Sequence, residues 1–191
     1  MYMTTKTIFA SAAKTVFALA AVVMMSTAFT SCSKDNNDDN GGGGLPAPKA
    51  QTVTIDGEEK PILKAEYEDK DNGNYYIFLN LSADGKEKVR FSLNKKLHMN
   101  GTPITLSKKE SWHDGWYWVV DYFTATGTRL IDTYAYPETG VPEFKTGTLT
   151  VKGDPASGTI SIKLENGLVT GNDSKDHTLT LSYSGPITEQ K

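Results

Sequence analysis

The chain has a single cysteine, Cys32, among 191 residues, and only three histidines and three tryptophans. One cysteine excludes an intramolecular disulfide, and without a CxxC or a Cys/His cluster it leaves no thiolate zinc site. His98, His113 and His177 show none of the HxH, HxxxH or HExxH spacings that bring two imidazoles to one metal. No GxSxG is present to display a nucleophilic serine, and no two of the many carboxylates stand out as a hydrolytic pair. Cations are outnumbered as well: 20 Lys and Arg face 23 Asp and Glu, a net charge of -3, so nothing favours nucleic acid as a partner.

Charge is almost missing from the first 33 residues, where Lys6 and Lys14 precede the apolar run "TVFALAAVVMMSTAF", Thr15 to Phe29. A basic start followed by such a run is the order of a secretory signal peptide. The run is about 15 residues, short of the roughly 20 that span a bilayer as a helix, and no basic stop-transfer cluster follows it. A retained membrane anchor is the alternative.

The run ends Phe29-Thr30-Ser31-Cys32, and here the chain resembles a bacterial lipoprotein precursor, in which small residues precede a cysteine that is lipidated and becomes the mature N-terminus. Phe29 departs from that pattern, standing where an aliphatic residue is most common. The other reading of the segment is an ordinary signal peptide followed by a free cysteine. "SKDNNDDN", Ser33 to Asn40, resembles the acidic export signal of surface lipoproteins in the Bacteroidota, which implies display on the outer face of the outer membrane. A plain acidic spacer with periplasmic display is the alternative. "GGGGLPAPKAQ" then offers four glycines with nothing to bury and two prolines that favour extended chain. The expected organisation is a signal peptide over 1–31, a lipidated Cys32 with a tether over 32–50, and a folded domain over 51–191. Its membrane partner would be reached through the lipid.

From Gln51 onward, helical periodicity is lacking and alternation takes over. "TVTID", "YYIFLNLS", "KVRFSLN", "GTLTVK", "GTISIKL" and "HTLTLSY" each place apolar residues at every second position, with Thr, Ser and Lys mostly between them. Asn-Gly and Asp-Gly pairs sit between these runs and supply the positive φ that tight hairpins need. A single helical turn fits at Ser107 to Asp114. The expectation is an all-β domain of about nine or ten antiparallel strands, a β-sandwich or a flattened up-and-down barrel. "GTLTV" and "GTISI" are expected to be hairpin neighbours. The order "HMNGTPITL", "GWYWVVDYF", "KTGTLTVK", "GTISIKLENG" and "HTLTLSYSGPI" resembles small uncharacterised surface lipoproteins of the Bacteroidota.

The segment "SWHDGWYWVVDYF", Ser111 to Phe123, concentrates aromatic residues. As a strand from Gly115, it sets Trp116, Trp118, Val120 and Tyr122 on one face and Tyr117, Val119, Asp121 and Phe123 on the other. A central strand packed on both sides explains this. The functional alternative is a platform for a sugar ring, built from Trp112, Trp116, Tyr134 and Tyr136, with His113 and Asp114 bonding the hydroxyls. "EYEDKDNGN" offers Glu66, Glu68, Asp69, Asp71 and Asn72 as oxygen ligands, but in no EF-hand register, and reads as an acidic hairpin tip. No catalytic residue and no cofactor are expected. The functional expectation is a lipid-anchored binding module for a glycan or surface protein, with an adhesion or envelope-assembly component second and a hydrolase third.

Overall fold

The computed structural model describes residues 44–190; the segment read as a signal peptide, Cys32 and most of the segment read as a tether lie outside them. Alternation does what it predicts. In β1 (Thr52–Ile55), β3 (Lys64–Asp69), β4 (Asn74–Asn80) and β5 (Lys88–Asn94), the residues Val53, Ile55, Ala65, Tyr67, Tyr75, Ile77, Leu79, Val89, Phe91 and Leu93 enter one core. Val120 and Tyr122 of β7 (Val119–Phe123) join them, as do Leu149 and Val151 of β9 (Thr146–Asp154). Ile160, Ile162 and Leu164 of β10 (Thr159–Thr170) and Leu179, Leu181 and Tyr183 of β11 (Asp176–Pro186) complete the set. Each large apolar side chain buried this way contributes about 1.5–3 kcal/mol of transfer free energy.

The strands form two six-stranded sheets. With β2 (Glu58–Pro61) and β6 (Ile104–Thr105), sheet A runs β2-β1-β11-β10-β9-β6. With β8 (Arg129–Ile131) and β12 (Thr188–Glu189), sheet B runs β12-β3-β4-β5-β7-β8. The domain is therefore a β-sandwich of 12 strands, not nine or ten. The additional ones include β6 and β12, two residues each, too short to show periodicity. One pairing is parallel, β12 with β3, because the chain leaves sheet A at the end of β11 and joins the edge of sheet B. β9 and β10 are neighbours in register, Val151 opposite Ile162 and Leu149 opposite Leu164.

The helical turn is not at Ser107–Asp114. It is α1 (Lys95–His98), capped by Asn94, whose side chain accepts from the Lys96 and Leu97 N–H groups. A bulge in β10 between Leu164 and Gly167 requires glycine, since a Cβ at Gly167 would stand 2.3 Å from the Leu179 carbonyl oxygen. The edges are guarded: β2 carries Glu58, Glu59, Lys60 and Pro61, and β6, β8 and β12 are very short. Residues of the segment 45–49, expected to be tether, lie against Thr54, Thr178 and Thr180 on the outer face of sheet A, and Lys49 pairs with Glu59 at 2.7 Å.

Candidate functional site

The outer face of sheet B is the chemically distinctive surface. Strand alternation turns Tyr76 and Phe78 of β4, Lys88, Arg90 and Ser92 of β5, and Val119, Asp121 and Phe123 of β7 away from the core. The flanking loops build walls on this floor. The result is an open trough of about 400 Å3 lined by Tyr76, Arg90 and Ser92 from β4 and β5 and by Trp116, Tyr117 and Tyr134 from the flanking segments, with Val119, Arg129, Asp132, Thr133 and Val141 completing it; Tyr117 meets Tyr134 edge-on at 6.3 Å.

Side chains, rather than a strand ladder, hold the walls. Gly115 turns with φ +94, the Trp116 N–H donates to Asn74 Oδ1 at 3.1 Å, and the Trp118 N–H donates to Glu110 Oε2 at 3.0 Å. This is why β7 begins at Val119 and not at Gly115: these amides have side-chain acceptors. Trp118 is fully buried, whereas Trp116 lies against the Tyr76 ring at 4.8 Å, so the two do not share one surface. Around Tyr134 and Val141, Lys109 Nζ donates to the carbonyls of Tyr134 at 2.8 Å and Val141 at 2.6 Å.

The trough's charges are paired. Arg90 Nε donates to Asp121 Oδ2 at 2.8 Å, its Nη2 bonds the same oxygen, and Arg129 Nη1 pairs with Asp132 Oδ1 at 3.1 Å. Asp121 is completely buried and its Oδ1 has no hydrogen-bond partner among the described residues. Burial pushes its carboxyl above the ordinary range, an effect that Arg90 only partly offsets.

The residues singled out from sequence divide between the trough and its surroundings. Trp116 and Tyr134 line it. Trp112, 60% exposed, stands outside and meets Tyr136 edge-on at 5.0 Å; Tyr136 stacks with Tyr134 at 5.7 Å and meets Tyr117 edge-on at 4.9 Å. His113 is turned inward onto the Tyr117 ring, 4.1 Å between centroids, and Asp114 is exposed, its carbonyl accepting from His113 Nδ1. Tyr76, Arg90, Arg129 and Asp132 were not singled out. They are remote in sequence, and only the pairing of β4, β5, β7 and β8 assembles them.

His98, Glu110 and His113 come together closely enough to suggest a metal site. The hydrogen bonds argue against one. Asn94 N–H donates to His98 Nδ1 at 2.8 Å, so the proton of a neutral ring sits on Nε2 and points at Glu110 Oε1, 2.8 Å away. That imidazole has no second lone pair to give a metal. Burial would raise the Glu110 carboxyl, but the hydrogen bonds from His98 and from the Trp118 N–H are among the interactions that hold it below the usual range. Glu110 is a clamp tying α1 to the start of the aromatic segment. At the acidic hairpin tip, Glu66 pairs with Lys64, Glu68 with Lys70, and Asp69 accepts from the Asp71 N–H.

No family model, curated protein or solved structure matches the chain. Among the described residues, no helix is long and apolar enough to cross a membrane.

Proposed function

We propose that the chain is a cell-surface lipoprotein, anchored through Cys32, whose β domain binds a glycan in the trough on sheet B. The observation that carries this reading is the pairing of aromatic walls with planar polar groups. Trp116 and Tyr134, with Tyr76, line the same concavity and supply aromatic surface for the CH-rich side of a sugar. The Arg129–Asp132 pair and Ser92 place donors and acceptors within the same concavity, suited to hydroxyls that both donate and accept. The floor and walls are pinned by Asn74, Glu110 and Lys109, so the site is formed before a ligand arrives, which lowers the entropic cost of binding.

Affinity electrophoresis on a panel of soluble polysaccharides tests the reading. Retardation of the wild-type domain, lost in Trp116→Ala and Tyr134→Ala, is the expected outcome; migration unaffected by every polysaccharide would refute it. For the anchor, mass spectrometry of the mature N-terminal peptide is decisive, because an unmodified Cys32 would remove lipid attachment from the account. The reading as an assembly subunit that adds strands has less support, since the sheet edges are charged, proline-bearing or only two to three residues long.

A further inference from the structure

We infer that the glycan is acidic and that Lys88 holds its anionic group in a second basin beside the trough. This rests on the glycan reading above and adds the class of ligand. The second basin, about 410 Å3, lies on the same outer face of sheet B; Phe78, Lys86, Lys88 and Phe123 line it, and Arg90 borders both concavities. Lys88 and Arg90 are alternate residues of β5, roughly 7 Å apart along the strand. A sugar ring in the trough would thus bring its own substituent, or the next sugar, over Lys88.

Charge separates the two concavities. In the trough, Arg90 is matched by Asp121 and Arg129 by Asp132. In the second basin Lys86 is matched by Asp84, but Lys88 has no carboxylate partner among the described residues. Its ammonium stands over the rings of Phe78 at 5.4 Å and Phe123 at 5.7 Å. The aliphatic stem has a packing use, covering two phenyl rings that face outward. The charge does not: the residue is half-buried, and its ammonium has only weak attraction to the two rings. An anion in the basin would supply the charge-assisted hydrogen bond that is missing. A uronate carboxylate and a sulfate ester share that chemistry.

The test uses calorimetric titration of the domain with a polyuronate, a sulfated galactan and a neutral glucan at low and high salt. Wild-type protein should bind one or both acidic chains about tenfold more tightly than the neutral one, with the preference shrinking as salt rises. The two acidic arms tell carboxylate from sulfate. Lys88→Met, which keeps the stem over the rings, should lose the preference and keep neutral binding; Lys88→Arg should retain it. Equal affinity for neutral and acidic chains, or a preference that survives in Lys88→Met, overturns the inference while leaving the glycan reading in place. The wild-type preference and its salt dependence decide the matter even without a folded variant. Failure to bind all three chains overturns both.

Discussion

The two sheets have equivalent inner faces and quite different outer ones. Outside sheet A are Thr148, Thr150 and Lys152 on β9, Ser161 and Lys163 on β10, and Thr178, Thr180 and Ser182 on β11, with Lys163 paired across to Thr150 and Ser182. These polar side chains, mostly Thr and Ser, suffice to keep a sheet folded without an aromatic outer face. Outside sheet B the same positions carry Tyr76, Phe78, Phe123 and Arg90, with cations over the rings. The core asks nothing of either outer face. Sheet A shows the minimum the fold requires, and what sheet B adds to that minimum is available for binding.

The inner faces should be equally sensitive: Phe91→Ala in sheet B should cost about 3–5 kcal/mol and Ile162→Ala in sheet A about 2–5 kcal/mol, read by urea denaturation. A much smaller loss in either sheet would mean that the core is not shared. Next comes the charge beneath the trough. Arg90→Ala leaves the buried Asp121 carboxylate with only the more distant Arg129, at 3.9 Å, and should destabilise toward the low end of about 3–5 kcal/mol; Asp121→Asn should cost less. Equal losses from the two would place the penalty in packing rather than charge.

The outer faces should respond in opposite ways. Giving sheet B the residue that sheet A uses, with Tyr76→Thr and Phe123→Thr, should leave the domain folded but weaken polysaccharide binding about tenfold, or roughly 1.4 kcal/mol. Thr150→Ala on sheet A should leave binding unchanged. If the Thr150 variant binds as poorly as the Tyr76 variant, the contrast between faces has no functional content.

The smallest effect concerns pH and sits on sheet A. His177 Nδ1 bonds Asp56 Oδ2 at 2.6 Å and its Nε2 bonds Asp173 Oδ1 at 2.9 Å, which joins the β1–β2 turn to the β10–β11 turn. Burial lowers the His177 pKa, but the two carboxylates outweigh it and the net shift is upward from 6.5. A raised folded-state pKa means that this stabilisation is complete below the unfolded value and fades as pH rises through the folded one. Wild-type Tm should therefore decline modestly from pH 6 to pH 8 relative to His177→Gln; parallel profiles would show that the pair of bonds carries no net charge.

Much of sheet A was legible in the sequence, because its long strands alternate cleanly and their outer residues are polar. Sheet B was legible in its core face only. Val89, Phe91 and Leu93 announce themselves by spacing, as do Ile77 and Leu79, but nothing local shows that the aromatic Tyr76 and Phe78 between them form an outer face. The strand from Gly115 failed for a different reason: alternation continues upstream of Val119, yet the hydrogen bonds go to Asn74 and Glu110, residues that no local pattern connects to it. The trough's polar groups, Arg90, Arg129 and Asp132, come together only through strand pairing, and of the four platform aromatics named from sequence, Trp116 and Tyr134 line it.

The first strand of the domain has its partner at the other end of the chain. β1 lies between β2 and β11, with Thr52 opposite Ser182 and Ile55 opposite Leu179, and β12 then closes sheet B from the last residues described. Such distant pairings are reached late, after the loop-closure cost has been met. A nascent chain stopped before Asp176 would hold a finished β1–β2 hairpin with nowhere to dock, its Val53 and Ile55 still in water. The domain can therefore close only once β11 has been made, and a stop between β10 and β11 should be as damaging as one in the middle of the domain.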